Sequence, residues 1–386
     1  MIYVHIPFCR SFCTYCDFYS EVAAKCRGAE DARSQEELFE RFAEALIAEI
    51  RHRADEISDE TNTLYIGGGT PSVLPLHVYR RILSVLSEVG HGGPYDEFTA
   101  EVNPEDIVDK GIDYVKGLLE MGVNRISMGV QSFDDGILRF MNRRHDAETA
   151  RKAYAILEEA GVRNISIDLI FGLPQLSDEK WKETLDAALH ISSSGLPPQH
   201  ISSYQLSVEP GSMLAKLVER GKWQEASEEL CERQYRILCQ ALHEAGYRHY
   251  EISNFALPGF EARHNSAYWR HIPYAGFGPG AHSFRSCSRT WNEPDLQKYI
   301  LDPLSVTDGE SLTQEQLTLE RIMLALRTSD GIEEDYLRDH CDKEAYSRAL
   351  ADGSLTRLSD GMIRIPEDRF FISDAIISDL VCGLSN

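Results

Sequence analysis

The chain has 386 residues, enough for two or three domains and a sizeable buried core. Its 62 acidic side chains against 39 basic ones give a formal net charge of −23, a field that repels phosphate backbones and anionic headgroups and argues against a nucleic-acid partner. Nowhere does the sequence approach the run of roughly 18 apolar residues a membrane span needs, and its start has neither a basic n-region nor a cleavable apolar stretch, so the expected location is cytoplasmic.

The first predicted strand is Tyr3–Ile6, inside the opening "MIYVHIPFCRSFCTYCDFYS", and it runs directly into three cysteines. Further β-branched or aromatic runs predict strands at Thr63–Ile66, Phe98–Val102, Arg125–Val130, Ile165–Ile170 and Ile201–Leu206. Between them lie "EELFERFAEALIAEI", "PLHVYRRILSVLSEV", "DYVKGLLEMG", "AETARKAYAILEEAG" and "DEKWKETLDAALHIS", each with apolar residues at helical spacing. Gly122 and Gly161 follow helical patterns and precede strands, as C-cap glycines do. Strand-helix units in such succession imply a parallel sheet with right-handed crossovers. With six of them the expected fold class is α/β, a partial (β/α)6 TIM-like barrel short of full closure. Past Leu206 a helical region, "EASEELCERQYRILCQALHEAG", leads into the Gly-, Pro- and aromatic-rich "HNSAYWRHIPYAGFGPGAHS". The tail reads as helices plus a small hairpin. The expected domains are therefore 1–210, the partial barrel; 211–300, an accessory segment; and 301–386, a small α+β C-terminal domain.

Nine cysteines, an odd and unevenly scattered set in a chain without an export signal, do not suggest a disulfide scaffold. Cys9, Cys13 and Cys16 form a C-x3-C-x2-C frame that points to metal or redox chemistry. Structural zinc would require a fourth ligand, for which Cys26 or His5 is available. A four-iron cluster takes one thiolate per iron, so three cysteines would leave one iron open for a ligand.

Later strand ends carry further candidates, where ligands of parallel α/β barrels bind. "YIGGGTPS" places Gly67, Gly68 and Gly69 after strand two, with backbone that a ligand can approach closely, and Thr70 follows them. "AEVNPE" ends strand three with Glu101; "GVQSF" ends strand four with Gln131, and Arg143 follows in "MNRRHD". Strand five, "SIDLIFGLP", holds Asp168 among apolar neighbours, a costly place for a carboxylate that lacks a ligand or paired cation.

The cysteine frame behind strand one, opening a strand-helix series, resembles the radical S-adenosylmethionine (SAM) superfamily. "YVHIPFC", "GGGTPS", "RISMGVQSF", "DLIFGLP", "YQLSVEPGS", "YEISNFA" and "HNSAYW" together resemble its coproporphyrinogen III dehydrogenase (HemN) and heme chaperone (HemW) group, over residues 1 to about 285 and more loosely in the tail. The resemblance implies a [4Fe-4S] cluster on Cys9, Cys13 and Cys16, with SAM chelating the fourth iron. SAM would be lined by Gly68, Gly69, Thr70, Glu101, Gln131, Arg143 and Asp168, with Tyr3 and Ile170 nearby. In the dehydrogenase a further cysteine stands two positions after the third; here Phe18 occupies that place. The HNxxYW signature at residues 264–269 is shared with the chaperone branch, where it is associated with heme binding, and makes His264 the candidate ligand; His5, His200, His249 and His282 compete. The implied function is heme binding and delivery to acceptor hemoproteins such as respiratory cytochromes, with an electron donor such as flavodoxin or ferredoxin and a cluster-dependent homodimer. The alternative is radical oxidative decarboxylation of coproporphyrinogen III, with Arg10, Arg143 and Arg144 as cations for the substrate carboxylates.

Overall fold

Along each expected strand, large apolar side chains alternate with polar or small ones, and this period of two decides which face meets the helices. In a computed structural model describing residues 1–22, 29–58 and 62–382, the six strands are β1 (Ile2–Ile6), β2 (Thr63–Gly68), β3 (Glu97–Val102), β4 (Arg125–Gln131), β5 (Ile165–Phe171) and β6 (His200–Gln205). Val4, Ile66, Phe98, Met128, Ile167 and Ile201 lie on one face, all fully buried in a single core with the helices. Tyr65, Glu101, Ser127, Asp168 and Ser202 lie on the other face and line a common cavity. The sheet thus has an oily outside and a polar inside.

The crossover helices are α1 (Ala29–His52), α2 (Leu76–Glu88), α3 (Pro104–Glu120), α4 (Ala147–Ala160) and α5 (Asp178–Leu189). Each follows its apolar stripe, through Val78, Ile82 and Val85 in α2 and Ala150, Ala153 and Leu157 in α4. Local signals set the ends: Asp146 and Ser177 accept from the backbone N–H of Thr149 and Lys180, and Gly161 closes α4 with φ 96°, a left-handed turn that glycine adopts freely.

The sheet extends past the six strands. After α6 (Glu228–Glu244) come β7 (Arg248–Glu251) and β8 (Asn254–Ala256), then the short helix α7 (Arg263–Trp269) and β9 (Ala275–Phe277). The order across the nine-stranded sheet is β9-β1-β2-β3-β4-β5-β6-β8-β7. β9 joins β1 in parallel and β8 joins β6 antiparallel, so strands from 248–277 flank the six-strand series at both edges. Strands of three or four residues carry too little pattern to stand out in a glycine- and aromatic-rich stretch. "HNSAYW", which shows no helical period of its own, forms α7.

Beyond β9 lie a three-stranded antiparallel sheet over residues 282–311, then α8 (Gln314–Ala325), a three-stranded sheet over residues 332–364 and the final helix α9 (Ser373–Val381). The expected hairpin is Thr356–Arg357 with Met362–Arg364. No helix among the described residues is long and apolar enough to cross a membrane.

Candidate functional site

The segment after β1 folds over the C-terminal ends of the strands and is pinned there by backbone. Thr14 donates its N–H to the Met141 carbonyl at 3.1 Å and accepts from the Leu214 N–H at 2.8 Å; Asn142 Nδ2 donates to the Phe12 carbonyl at 2.6 Å. This holds Cys9, Cys13 and Cys16, all partly buried free thiols, on the wall of a cavity of about 450 Å³. The same cavity is lined by Gly68, Gly69, Thr70, Glu101, Gln131, Arg143, Asp168 and Ile170. Eleven residues singled out along 170 positions of sequence thus meet around one space because the strands are parallel and deliver their ends to the same side.

Burial pushes the Cys9 thiol above its ordinary range, against hydrogen bonds from Thr70 and Ser20, and pushes Cys16 up to about 12. Thiols in this state become thiolates when a metal supplies the compensating charge. Thr70 Oγ1 lies 3.5 Å from Cys9 Sγ and Arg143 Nη1 3.5 Å from Cys13 Sγ, two donors aimed at sulfur. A single zinc ion draws its sulfurs close, with Zn–S distances of about 2.3 Å. Among the described residues, the only group of metal-ligating types with ligand atoms within 4.8 Å of one another is the surface set Glu36, Glu40 and His77, so the three sulfurs are spread wider than one ion requires. His5 is not a fourth ligand: it is buried, with Nε2 2.8 Å from the Tyr19 carbonyl and Nδ1 3.0 Å from Tyr3 Oη. Cys26 lies outside the described residues.

Beside the thiols, backbone forms the next wall. A Cβ on Gly69 would sit 2.8 Å from the Phe8 carbonyl and 3.1 Å from Cys9 Sγ; Gly68, at φ 110°, would place one 2.7 Å from the His5 ring. Only glycine allows so close an approach. Gln131 is also left-handed, at φ 67°, where the β4–β5 register slips, and this bulge turns its side chain at the cavity. Glu101 accepts from Tyr65 Oη at 2.6 Å and from the Gly68 N–H at 3.1 Å; burial still raises its carboxyl to about 7, assisted by the charge of Asp168. Asp168 is raised by burial to about 6, with Ser127 Oγ at 3.4 Å. Two carboxylates bonded by neutral donors and paired with no cation among the described residues suit a ligand carrying an ammonium, a sulfonium and ribose hydroxyls.

The sequence did not single out Tyr65, Asn103, Arg125, Ser127, Ser202 and Tyr204, all of which line the cavity. Asn103 links two assigned residues, donating to Thr70 Oγ1 at 3.1 Å and accepting from Arg143 Nη2 at 2.7 Å. The missed signal is the alternation itself: in "RISMGVQ" every second residue, from Arg125 through Ser127 and Gly129, is polar or small. Tyr3 stands behind the wall, its ring 6.1 Å from that of Tyr65.

Residues 3–188 match the radical SAM superfamily. The heme chaperone HemW of Synechocystis is 33% identical over 86% of this chain and 78% of its own length; the HemW of Bacillus subtilis is 32% identical over 90% and 87%. The chain belongs to the HemW family. HemN of Escherichia coli, a structure described as a radical SAM enzyme, superposes with a TM-score of 0.78 over 99% of this chain and 90% of its own at 22% identity, which establishes the common fold. Radical SAM membership carries a [4Fe-4S] cluster and SAM, and the three spread thiols, the glycine wall and the underpaired carboxylates are suited to both.

For a HemW family member the placement of His264 is of particular interest. Its side chain is 1% exposed, with Nδ1 2.9 Å from Thr63 Oγ1 and Nε2 3.1 Å from Tyr268 Oη, and burial lowers its pKa to about 3. It lies toward the N-terminal ends of the strands, away from the cysteines, and both ring nitrogens are engaged. An iron ligand at this position would have to displace Tyr268 or Thr63. His200 lies between Ser166 and Tyr250, each at 2.7 Å, and His249 stacks on Phe255 with ring centroids 4.1 Å apart. His282 is exposed beside Trp291. None of these histidines lines the cavity.

Proposed function

We propose that this chain is a heme chaperone: it holds a [4Fe-4S] cluster on Cys9, Cys13 and Cys16, binds SAM on the adjoining wall, takes up heme and passes it to acceptor hemoproteins such as respiratory cytochromes. The observation that carries the reading is the union of HemW-level similarity over most of the chain with a cavity lined, among the described residues, by three thiols. A bound cluster supplies the electron that can cleave SAM, and a flavodoxin or ferredoxin would reduce it. The protein's own part is to hold the ligands. In this reading Glu101 and Gly68 would hold the SAM amino group and Asp168 the ribose, while Arg143, tied to Asn103 and the Gly129 carbonyl, holds a positive charge beside Cys13. A homodimer formed when the cluster is present belongs to the same proposal.

Phe18, where the dehydrogenase has cysteine, separates this reading from coproporphyrinogen decarboxylation. The test is a single anaerobic, cluster-reconstituted preparation assayed in parallel. Expected are iron and sulfide near four each per chain, a Soret shift on adding hemin, and no protoporphyrinogen from coproporphyrinogen III. Tetrapyrrole turnover with release of carbon dioxide would transfer the assignment to the dehydrogenase, and iron-poor protein without a hemin response would remove both.

A further inference from the structure

Eight large apolar side chains stand exposed among the described residues: Phe12, Phe18, Leu196, Tyr204, Met213, Leu301, Leu304 and Ile372. Three of them line one opening, and a fourth, Met213, is tied to it through its neighbour in the chain. Phe12 (49% exposed), Phe18 (66%) and Tyr204 (43%) line the cavity that contains the thiols, while none of Leu196, Leu301, Leu304 and Ile372 does. Met213, 50% exposed, precedes Leu214, whose N–H is bonded to Thr14 inside the cysteine segment. Two separate stretches of sequence thus bring aromatic surface to the rim of a polar cavity, with Met213 beside the segment that holds one of them, and exposed apolar surface concentrated in this way marks a binding site.

The charges at the rim narrow the ligand. Arg10 is committed to Asp106 at 2.9 Å and Asp109 at 2.7 Å, and Arg143 to Asn103 and the Gly129 carbonyl. Arg144 is exposed, lines the same cavity and has no hydrogen bond or ion pair to any described residue. In a chain of net charge −23, an uncommitted guanidinium lining the same cavity as Phe12, Phe18 and Tyr204 fits a flat apolar molecule with carboxylate arms.

We propose that this rim is the docking surface of the tetrapyrrole, its macrocycle lying against Phe12, Phe18, Tyr204 and Met213 and one propionate meeting Arg144. The inference rests on the heme-carrying reading above and adds where the ligand sits and by what it is recognised. It also has a chemical consequence. No histidine is among the described residues that line the cavity, and recognition is assigned to ring face and carboxylate, with iron not required for binding.

The experiment titrates full-length, cluster-reconstituted protein anaerobically with hemin, iron-free protoporphyrin IX and its dimethyl ester, comparing variants at matched iron content. Hemin and protoporphyrin IX should bind within about threefold of each other. The Phe12→Ser/Phe18→Ser double variant should weaken both by at least about tenfold, from lost aromatic burial. Met213→Ser, outside the cysteine segment, should weaken both by roughly threefold. Arg144→Gln should bind acid and dimethyl ester alike, where the wild type prefers the acid. The proposal is overturned if protoporphyrin IX does not bind while hemin does, if His264→Ala abolishes hemin binding and the rim variants leave it intact, or if the rim variants impair only capture by an acceptor hemoprotein. A wild-type protein that binds neither hemin nor porphyrin refutes the heme-carrying reading itself, a distinguishable result.

Discussion

The polar face of the sheet behaves differently at its two ends. Toward the N-terminal ends of the strands several of its groups satisfy one another, though the buried Nε of Arg125 has no partner there. Glu97 accepts the N–H groups of Arg263 and His264 at 2.8 and 3.0 Å and so caps α7, which has no side-chain cap of its own. Thr63, His264 and Tyr268 form one chain of hydrogen bonds, and Ser166, His200 and Tyr250 form another. At the C-terminal ends, the same rows of alternating residues present three free thiols and two carboxylates with raised pKa values that are bonded by neutral donors and paired with no cation among the described residues. A buried polar group costs least when it is bonded, so the closed end reads as structure and the underpaired end as a place where ligands complete the bonding.

The largest effect should come from breaking the underpaired end at its thiols. Replacing Cys9, Cys13 and Cys16 together with alanine should reduce iron and sulfide to background while the circular dichroism of the fold persists; full iron content in the triple variant would place the cluster elsewhere. Breaking the closed end should do the reverse. Glu97→Ala leaves two helix N–H groups unbonded and should cost about 2–4 kcal/mol in urea unfolding, with iron per folded molecule unchanged.

Asp168→Asn sharpens the contrast, because affinity and stability should move in opposite directions. SAM affinity should fall by roughly tenfold or more with loss of a charged acceptor. For stability, the sign follows from the raised carboxyl. Relative to an unfolded pKa of 3.8, a folded value of about 6 favours the protonated form in the fold, so stability is greatest below pH 3.8 on this account and declines as pH rises through 6. Asn cannot ionise, so the ligand-free variant should melt roughly 2–4 °C above wild type at pH 8 and show little difference at pH 4. An equal shift at both pH values would rule out burial of the charged form as the cause. The smallest effect is expected for Tyr65→Phe, which removes the 2.6 Å bond to Glu101 and should weaken SAM binding by only about three- to fivefold, measured by equilibrium dialysis.

Much of the site could be read before any coordinates. Cys9, Cys13, Cys16, Gly68, Gly69, Thr70, Glu101, Gln131, Arg143, Asp168 and Ile170 follow or end strands in a parallel series, and parallel connection forces such positions to one side. Tyr65, Asn103 and Arg125 were overlooked because each is an ordinary residue in its own strand and acquires meaning only from neighbours on other strands: Glu101 for the first, Thr70 and Arg143 for the second. His264 shows the opposite case. A motif named it, yet whether an imidazole is free depends on Thr63, 201 residues away.

The sequence by itself determined the six strands, their helices and the thiol frame, because periodicity, caps and local spacing are properties of consecutive residues. Only the tertiary structure decided that 248–277 would contribute strands at both edges of the sheet, which polar groups would satisfy each other, and where the exposed aromatic side chains would converge. The reason is physical: short strands are stabilised by the partner they pair with, and the cost of burying a polar group is set by what lies across from it, information that no single stretch of chain contains.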